Sequence, residues 1–168
     1  MNLDPKLRPD QVLAIAVKSE IEAADIYASL YRKVKNELLR KKLKFLVFEE
    51  KKHRATLERL FSQRFPEQEL EILEKSFLPR VSVTLDEKSS VLDLFKAALS
   101  AEKMSEDFYA EAAGRAEEGS QKILKYLSRV ERSHYFMIQS EIGLLENFPD
   151  YYDVEDFHVG HEMVHIGP

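Results

Sequence analysis

The 168 residues contain no cysteine, which excludes disulfides, thiolate zinc sites, iron–sulfur clusters and cysteine nucleophiles. Any metal or redox chemistry within them must use oxygen and nitrogen ligands. Tryptophan is absent too, and 5 Gly and 6 Pro are too few to punctuate a chain of many short strands and tight turns. No run approaches the ~20 apolar residues of a membrane span, and the start of the chain lacks the basic-then-apolar order of a secretory signal. A cytoplasmic protein with no membrane association is therefore expected. Positive charge is also short, with 25 Lys and Arg against 30 Asp and Glu and a net charge of -5. Nucleic acid, which demands a dense cationic footprint, is not the expected partner. The cluster of Arg40, Lys41, Lys42, Lys44, Lys51 and Lys52 alternates with apolar residues at helical period and reads as a solvated helix face. Asn and Gln are scarce beside Glu and Lys, a balance met in proteins from hot environments.

What is present points to helices. Apolar residues make up 44% of the chain, enough at this length for one full core. Leu13, Val17, Glu20, Ala24, Tyr27, Tyr31 and Val34 recur in steps of three and four, as do Leu39, Leu43, Leu46, Glu50, His53, Leu57 and Leu60. Two further stripes follow: Leu92, Phe95, Leu99, Glu102, Glu106, Tyr109 and Ala113, then Leu124, Leu127, Glu131, His134, Ile138, Glu141 and Leu145. They predict helices over about 10–34, 37–63, 90–114 and 120–147. Asn36 is placed to cap the second, and Ser90 with Asp93 forms a capping box for the third. Gly114 and Gly119 bracket the turn before the fourth, which Pro149 ends. The short turns make each consecutive pair an antiparallel hairpin. Residues 64–89 form a long crossover between the hairpins, with Pro66 opening a short helix to about Leu78 and Val81, Val83 and Leu85 extended. The bundle domain is thus 1–149, and 150–168 is a His-rich tail.

The hairpins look like copies of one another. Setting Glu20 on Glu102 also sets Asp25 on Asp107 and Tyr27 on Tyr109, while Glu50 and His53 fall on Glu131 and His134. In an antiparallel hairpin, two residues are level when the turn lies midway between them. The midpoint of Glu20 and Glu50 falls at the Lys35–Asn36 break, and that of Glu102 and Glu131 falls between Gly114 and Gly119. Four carboxylates and two imidazoles therefore converge at one depth on faces that otherwise read as core. An uncompensated buried carboxylate is very costly, and two divalent cations balance four glutamates. Oxygen with imidazole nitrogen suits iron or manganese better than structural zinc. In Glu-x-x-His the step of three points both ligands inward, so the Glu can bridge two metals while the His caps one.

The spacing alone is weak, since composition predicts fewer than one chance Glu-x-x-His and the chain has four. Only those at Glu50 and Glu131 lie on long stripes with a level Glu on the preceding helix. Glu155 with His158 and Glu162 with His165 belong to the tail, which offers a further metal site or, preferably, a segment that docks on the bundle or mediates assembly. Tyr27 and Tyr109 each lie two turns beyond their helix's Glu, as core aromatics or as outer-shell donors to the opposite helix's carboxylate. Asp25 and Asp107 flank the stripe and read as surface residues, and Glu141 reads as an exposed residue at the bundle's end.

This combination resembles the rubrerythrin branch of the ferritin-like di-iron carboxylate proteins over about Pro9 to Phe148. The spacing of Glu20 to Tyr27, Glu50-x-x-His53, the long connection and Glu131-x-x-His134 carry the resemblance. It implies an all-α, ferritin-like antiparallel four-helix bundle with one long crossover between helices 2 and 3. It further implies two iron ions, with manganese or zinc substitution allowed, held by Glu20, Glu50, His53, Glu102, Glu131 and His134. Such proteins are often homodimers that reduce hydrogen peroxide with electrons from an external donor such as a rubredoxin. A ferroxidase or iron-storage protein and a metal-stabilised helical scaffold are the alternatives. Two departures stand out. The four-Cys rubredoxin domain common in the branch is missing, and Ser105 stands where a second third-helix Glu is usual, leaving Glu106 as a possible additional ligand.

Overall fold

The computed structural model describes residues 3–72, 74 and 90–148. Among them are four helices and no strand: α1 (Pro9–Lys33), α2 (Glu37–Arg64), α3 (Val91–Arg115) and α4 (Glu118–Asn147). Local chemistry sets where they start. Pro9 opens α1 with its φ already helical, and the Gln11 side chain accepts from the Arg8 N–H at 3.0 Å. Asn36 Oδ1 accepts from the Leu39 N–H at 3.0 Å to start α2. Ser90 and Asp93 exchange reciprocal bonds of 3.1 Å at the head of α3.

The glycines do not make the second turn. Gly114 lies inside α3 and Gly119 in the first turn of α4. The chain reverses through Ala116 (φ -88°, ψ 154°) and Glu117 (φ -65°, ψ 161°), both extended, so no left-handed residue is required. The short helix expected from Pro66 does not form over the described residues. Pro66 and Glu67 make a single turn closed by the Gln68 N–H to the Phe65 carbonyl at 3.0 Å, and 69–72 are irregular. Phe65, in front of Pro66, offers no capping oxygen, so nothing propagates the turn. The extended stretch at 81–85 and the tail lie outside the described residues.

Helices α1 and α2 pack as one antiparallel hairpin and α3 and α4 as another. The hairpins meet through α1 on α3 and, more openly, α2 on α4. Both contacts are antiparallel. Arg115 at the end of α3 donates to the Leu3 and Asp4 carbonyls ahead of α1, while Lys42 near the start of α2 pairs with Glu141 near the end of α4. The start of α3 therefore lies at the opposite end of the bundle from the end of α2. No helix among the described residues is long and apolar enough to cross a membrane.

The buried stripes form two apolar clusters. One gathers Leu13, Val17, Leu57, Leu60, Phe108, Leu124 and Leu127 around the α1 N-terminus. The other gathers Leu30, Leu39, Leu43, Phe95 and Ile138 at the opposite end. Each such side chain contributes roughly 1.5–3 kcal/mol when fully buried. Between the clusters the stripes turn polar at one level, and there the functional groups lie.

Candidate metal centre

Glu20 projects from α1, Glu50 and His53 from α2, Glu102 from α3, and Glu131 and His134 from α4. All six are 1–3% exposed. Their ligand atoms fall into two groups, Glu20, Glu50, His53 and Glu131, and Glu50, Glu102, Glu131 and His134, each with every atom within 4.8 Å of the others. His53 Nδ1 lies 3.0 Å from Glu131 Oε1 and 3.4 Å from both Glu20 Oε2 and Glu50 Oε2. His134 Nδ1 lies 3.1 Å from Glu50 Oε1, 3.4 Å from Glu131 Oε2 and 3.7 Å from Glu102 Oε2. The rings stack with centroids 5.6 Å apart and planes 19° from parallel. The duplicated sequence thus appears in space as a near two-fold arrangement, with Glu50 and Glu131 common to both halves.

The donor set fits a pair of divalent cations. Glu20 Oε2, both Glu50 oxygens, both His53 nitrogens, Glu102 Oε2, Glu131 Oε1 and His134 Nδ1 are buried without a hydrogen-bond partner. Leaving so many polar atoms unmatched costs about 1–3 kcal/mol each, whereas metal–ligand bonds satisfy them together. Each group offers three carboxylates and one imidazole, a hard-oxygen and nitrogen set suited to iron or manganese.

The second carboxylate oxygens of Glu102 and Glu20 are held by tyrosines across the bundle. Tyr27 of α1 donates its hydroxyl to Glu102 Oε1 on α3, and Tyr109 of α3 donates to Glu20 Oε1 on α1. Both hydroxyls are pushed well above the ordinary phenol range, first by burial and then by the carboxylate beside each. They remain donors throughout the physiological range.

Protons follow from the same crowding. Burial, reinforced by the charges of Glu131 and Glu50, drives Glu20 and Glu102 well above the carboxylate range. Glu50 is buried as deeply, yet the imidazoles of His134 and His53 outweigh that and hold it at about 2. Glu131 is lowered as well, the same two imidazoles overcoming burial and the Glu50 charge. Burial would discharge the imidazoles, but the surrounding carboxylates raise His53 far above its usual value and His134 to about 9. Without metal, two raised imidazoles face two lowered carboxylates, while Glu20 and Glu102 are biased toward their protonated forms.

Other residues singled out from the sequence lie elsewhere. Glu106 stands outside both groups, with its carboxylate 3.1 Å from Lys103 Nζ and 3.9 Å from Arg132 Nε. Ser105 is the α3 residue buried one turn beyond Glu102. Asp25 is exposed and Asp107 pairs with Lys103 at 2.8 Å, as surface residues. Glu141 is not the exposed residue expected: it is 4% exposed and paired with Lys42 at 2.5 Å across the α2–α4 contact. Its position seven residues beyond His134, on the α4 stripe, was the signal for burial.

Four helices in two antiparallel hairpins, a long crossover and a mid-bundle layer of glutamates and histidines define a ferritin-like carboxylate protein. The family model for rubrerythrin matches residues 11–142, and the chain belongs to that family. Among solved structures it is similar to a hypothetical protein from Pyrococcus furiosus, with 34% identity and a TM-score of 0.76 over 84% of this chain and 92% of that one. No curated protein matches the sequence.

Proposed function

We propose that the chain is a non-haem di-iron oxidoreductase that reduces hydrogen peroxide with electrons from an external donor of the rubredoxin kind. The observation that carries this reading is the pair of ligand groups sharing Glu50 and Glu131, which would hold two metal ions close enough to act on one O–O bond. When bound, two ferrous ions supply the two electrons and the Lewis acidity needed to reduce an O–O bond. Reduction of one peroxide to two waters consumes two electrons and two protons.

The chain's own residues prepare the place for this. Glu20 with His53 would hold one ion and Glu102 with His134 the other, with Glu50 and Glu131 available to both. Tyr27 and Tyr109 fix the terminal carboxylates from the opposite helix and keep a proton at their hydroxyl oxygens on either side of the centre. The apolar clusters above and below seal the layer from bulk water. No thiolate relay exists within the 168 residues, so electrons must arrive from outside them. The assembly we assign is a homodimer, because the long crossover lets the second hairpin pair within its chain or with a partner's.

Stopped-flow oxidation of anaerobically reduced, iron-loaded protein tests the proposal. Stoichiometric peroxide should oxidise the centre much faster than dissolved oxygen, with turnover only when a donor is supplied. Equal rates, with catalytic oxidation of added ferrous iron, would replace peroxide reduction by ferroxidase activity.

A further inference from the structure

The net charge is unevenly placed. Residues 149–168 contain Asp150, Asp153, Glu155, Asp156 and Glu162 and no Lys or Arg, so this one segment accounts for the whole excess of -5. The opposite excess sits on α2, whose 28 residues hold nine Lys and Arg against four Glu. Its outer face carries Lys41, Lys44 and Lys51, all exposed and without an ion pair among the described residues. Along the same helix stand Leu38, Phe45 and Phe48, 54%, 49% and 58% exposed. A basic helix that also shows three large apolar side chains along one line to solvent is a surface prepared for a cover.

The fold brings the end of the described chain, Phe148, to one end of that surface. Helix α4 runs antiparallel to α2, as the Lys42–Glu141 and Arg64–Glu117 pairs record, so Asn147 lies at the end where α2 begins. Twenty residues reach up to ~66 Å when extended, and α2 is ~42 Å long. The stretch from Asp150 to Asp156, which includes Tyr151 and Tyr152, can therefore lie over the first half of α2, where Lys41 to Lys51 and the exposed aromatics are. We propose that residues 149–168 dock along the outer face of α2 in their own chain, their carboxylates on its lysines and their aromatic residues on Phe45 and Phe48.

The lack of cysteine makes a direct test clean. Gln63→Cys at the far end of α2 and His158→Cys in the tail take a spin label each, in the full chain diluted into excess unlabelled protein. Docking predicts a short, narrow interspin distribution that broadens when Lys41→Glu, Lys44→Glu and Lys51→Glu are combined. Unchanged helical circular dichroism shows that this triple variant still folds. A broad distribution before any charge reversal overturns the proposal, as does a narrow one that the reversal leaves untouched. A short distance lost on dilution would place the tail on a second copy and overturn the assignment to its own chain.

Discussion

Loading the centre with metal should expel protons in a number that the geometry sets. Without metal, His53 and His134 are raised above neutrality and Glu20 and Glu102 well above the carboxylate range, which favours a proton on all four at pH 7. Glu50, at about 2, and the lowered Glu131 hold none. Two divalent ions need four carboxylates and two neutral imidazoles, so filling the site releases about four protons per two metals. The layer is neutral before and after, which is why a buried site can tolerate both states. Each pH unit lost near neutrality should weaken the apparent affinity about 100-fold per metal, or ~2.7 kcal/mol. Above pH 9, the value for His134, the count should fall by one, because that ring is then already neutral. Calorimetric titration of anaerobic ferrous or manganous ion, in buffers of different ionisation enthalpy, reads the proton number directly. Glu20→Gln should lower it by one. Release of two protons or fewer would show that Glu20 and Glu102 are ionised before metal arrives, and would refute the neutral-layer account.

Tyr27→Phe strips the buried Glu102 oxygen of its donor and should cost about 1–3 kcal/mol in urea denaturation of the metal-free protein. Metal affinity should fall with it, and unchanged stability would mean that the hydroxyl does not hold the carboxylate. Lys42→Ala uncovers the buried Glu141 carboxylate and should destabilise by roughly 1–2 kcal/mol, discounted because Lys42 is 42% exposed. Lys122→Ala removes the fully surface pair with Glu118 and should change thermal stability not at all. Leu57→Ala, in the cluster below the centre, leaves a cavity and should cost ~2–5 kcal/mol by chemical denaturation.

The six candidate ligands were legible because two independent periodicities meet on them. The helical step of three or four fixes which side of each helix they occupy, and the position of each turn fixes their height. Asn36 and the Ser90–Asp93 box were legible for a related reason, since a capping oxygen acts only on its neighbours. Residues whose role depends on a second helix were harder to read. From Glu102, a step of four to Glu106 advances about 40° around α3, toward α4 and the cations of Lys103 and Arg132. A step of three falls back beneath the stripe, and buried Ser105 occupies that place. Glu141 lies on its stripe, which marks it for burial, but no local pattern points to its partner Lys42 on α2. Gly114 and Gly119 bracket the second turn as expected, yet its two extended residues ask nothing of glycine. The Pro66 segment lacked a cap in its own sequence, a signal that outweighed the favourable proline.

Metal quantification tests the central claim most directly. Protein loaded anaerobically with ferrous iron and freed of excess should retain about two ions per chain, and the Glu50→Ala/Glu131→Ala double variant should retain almost none, since both halves lose their shared ligands. Two ions retained by that variant, or none retained by the unaltered chain, would contradict a metal pair held by Glu20, Glu50, His53, Glu102, Glu131 and His134.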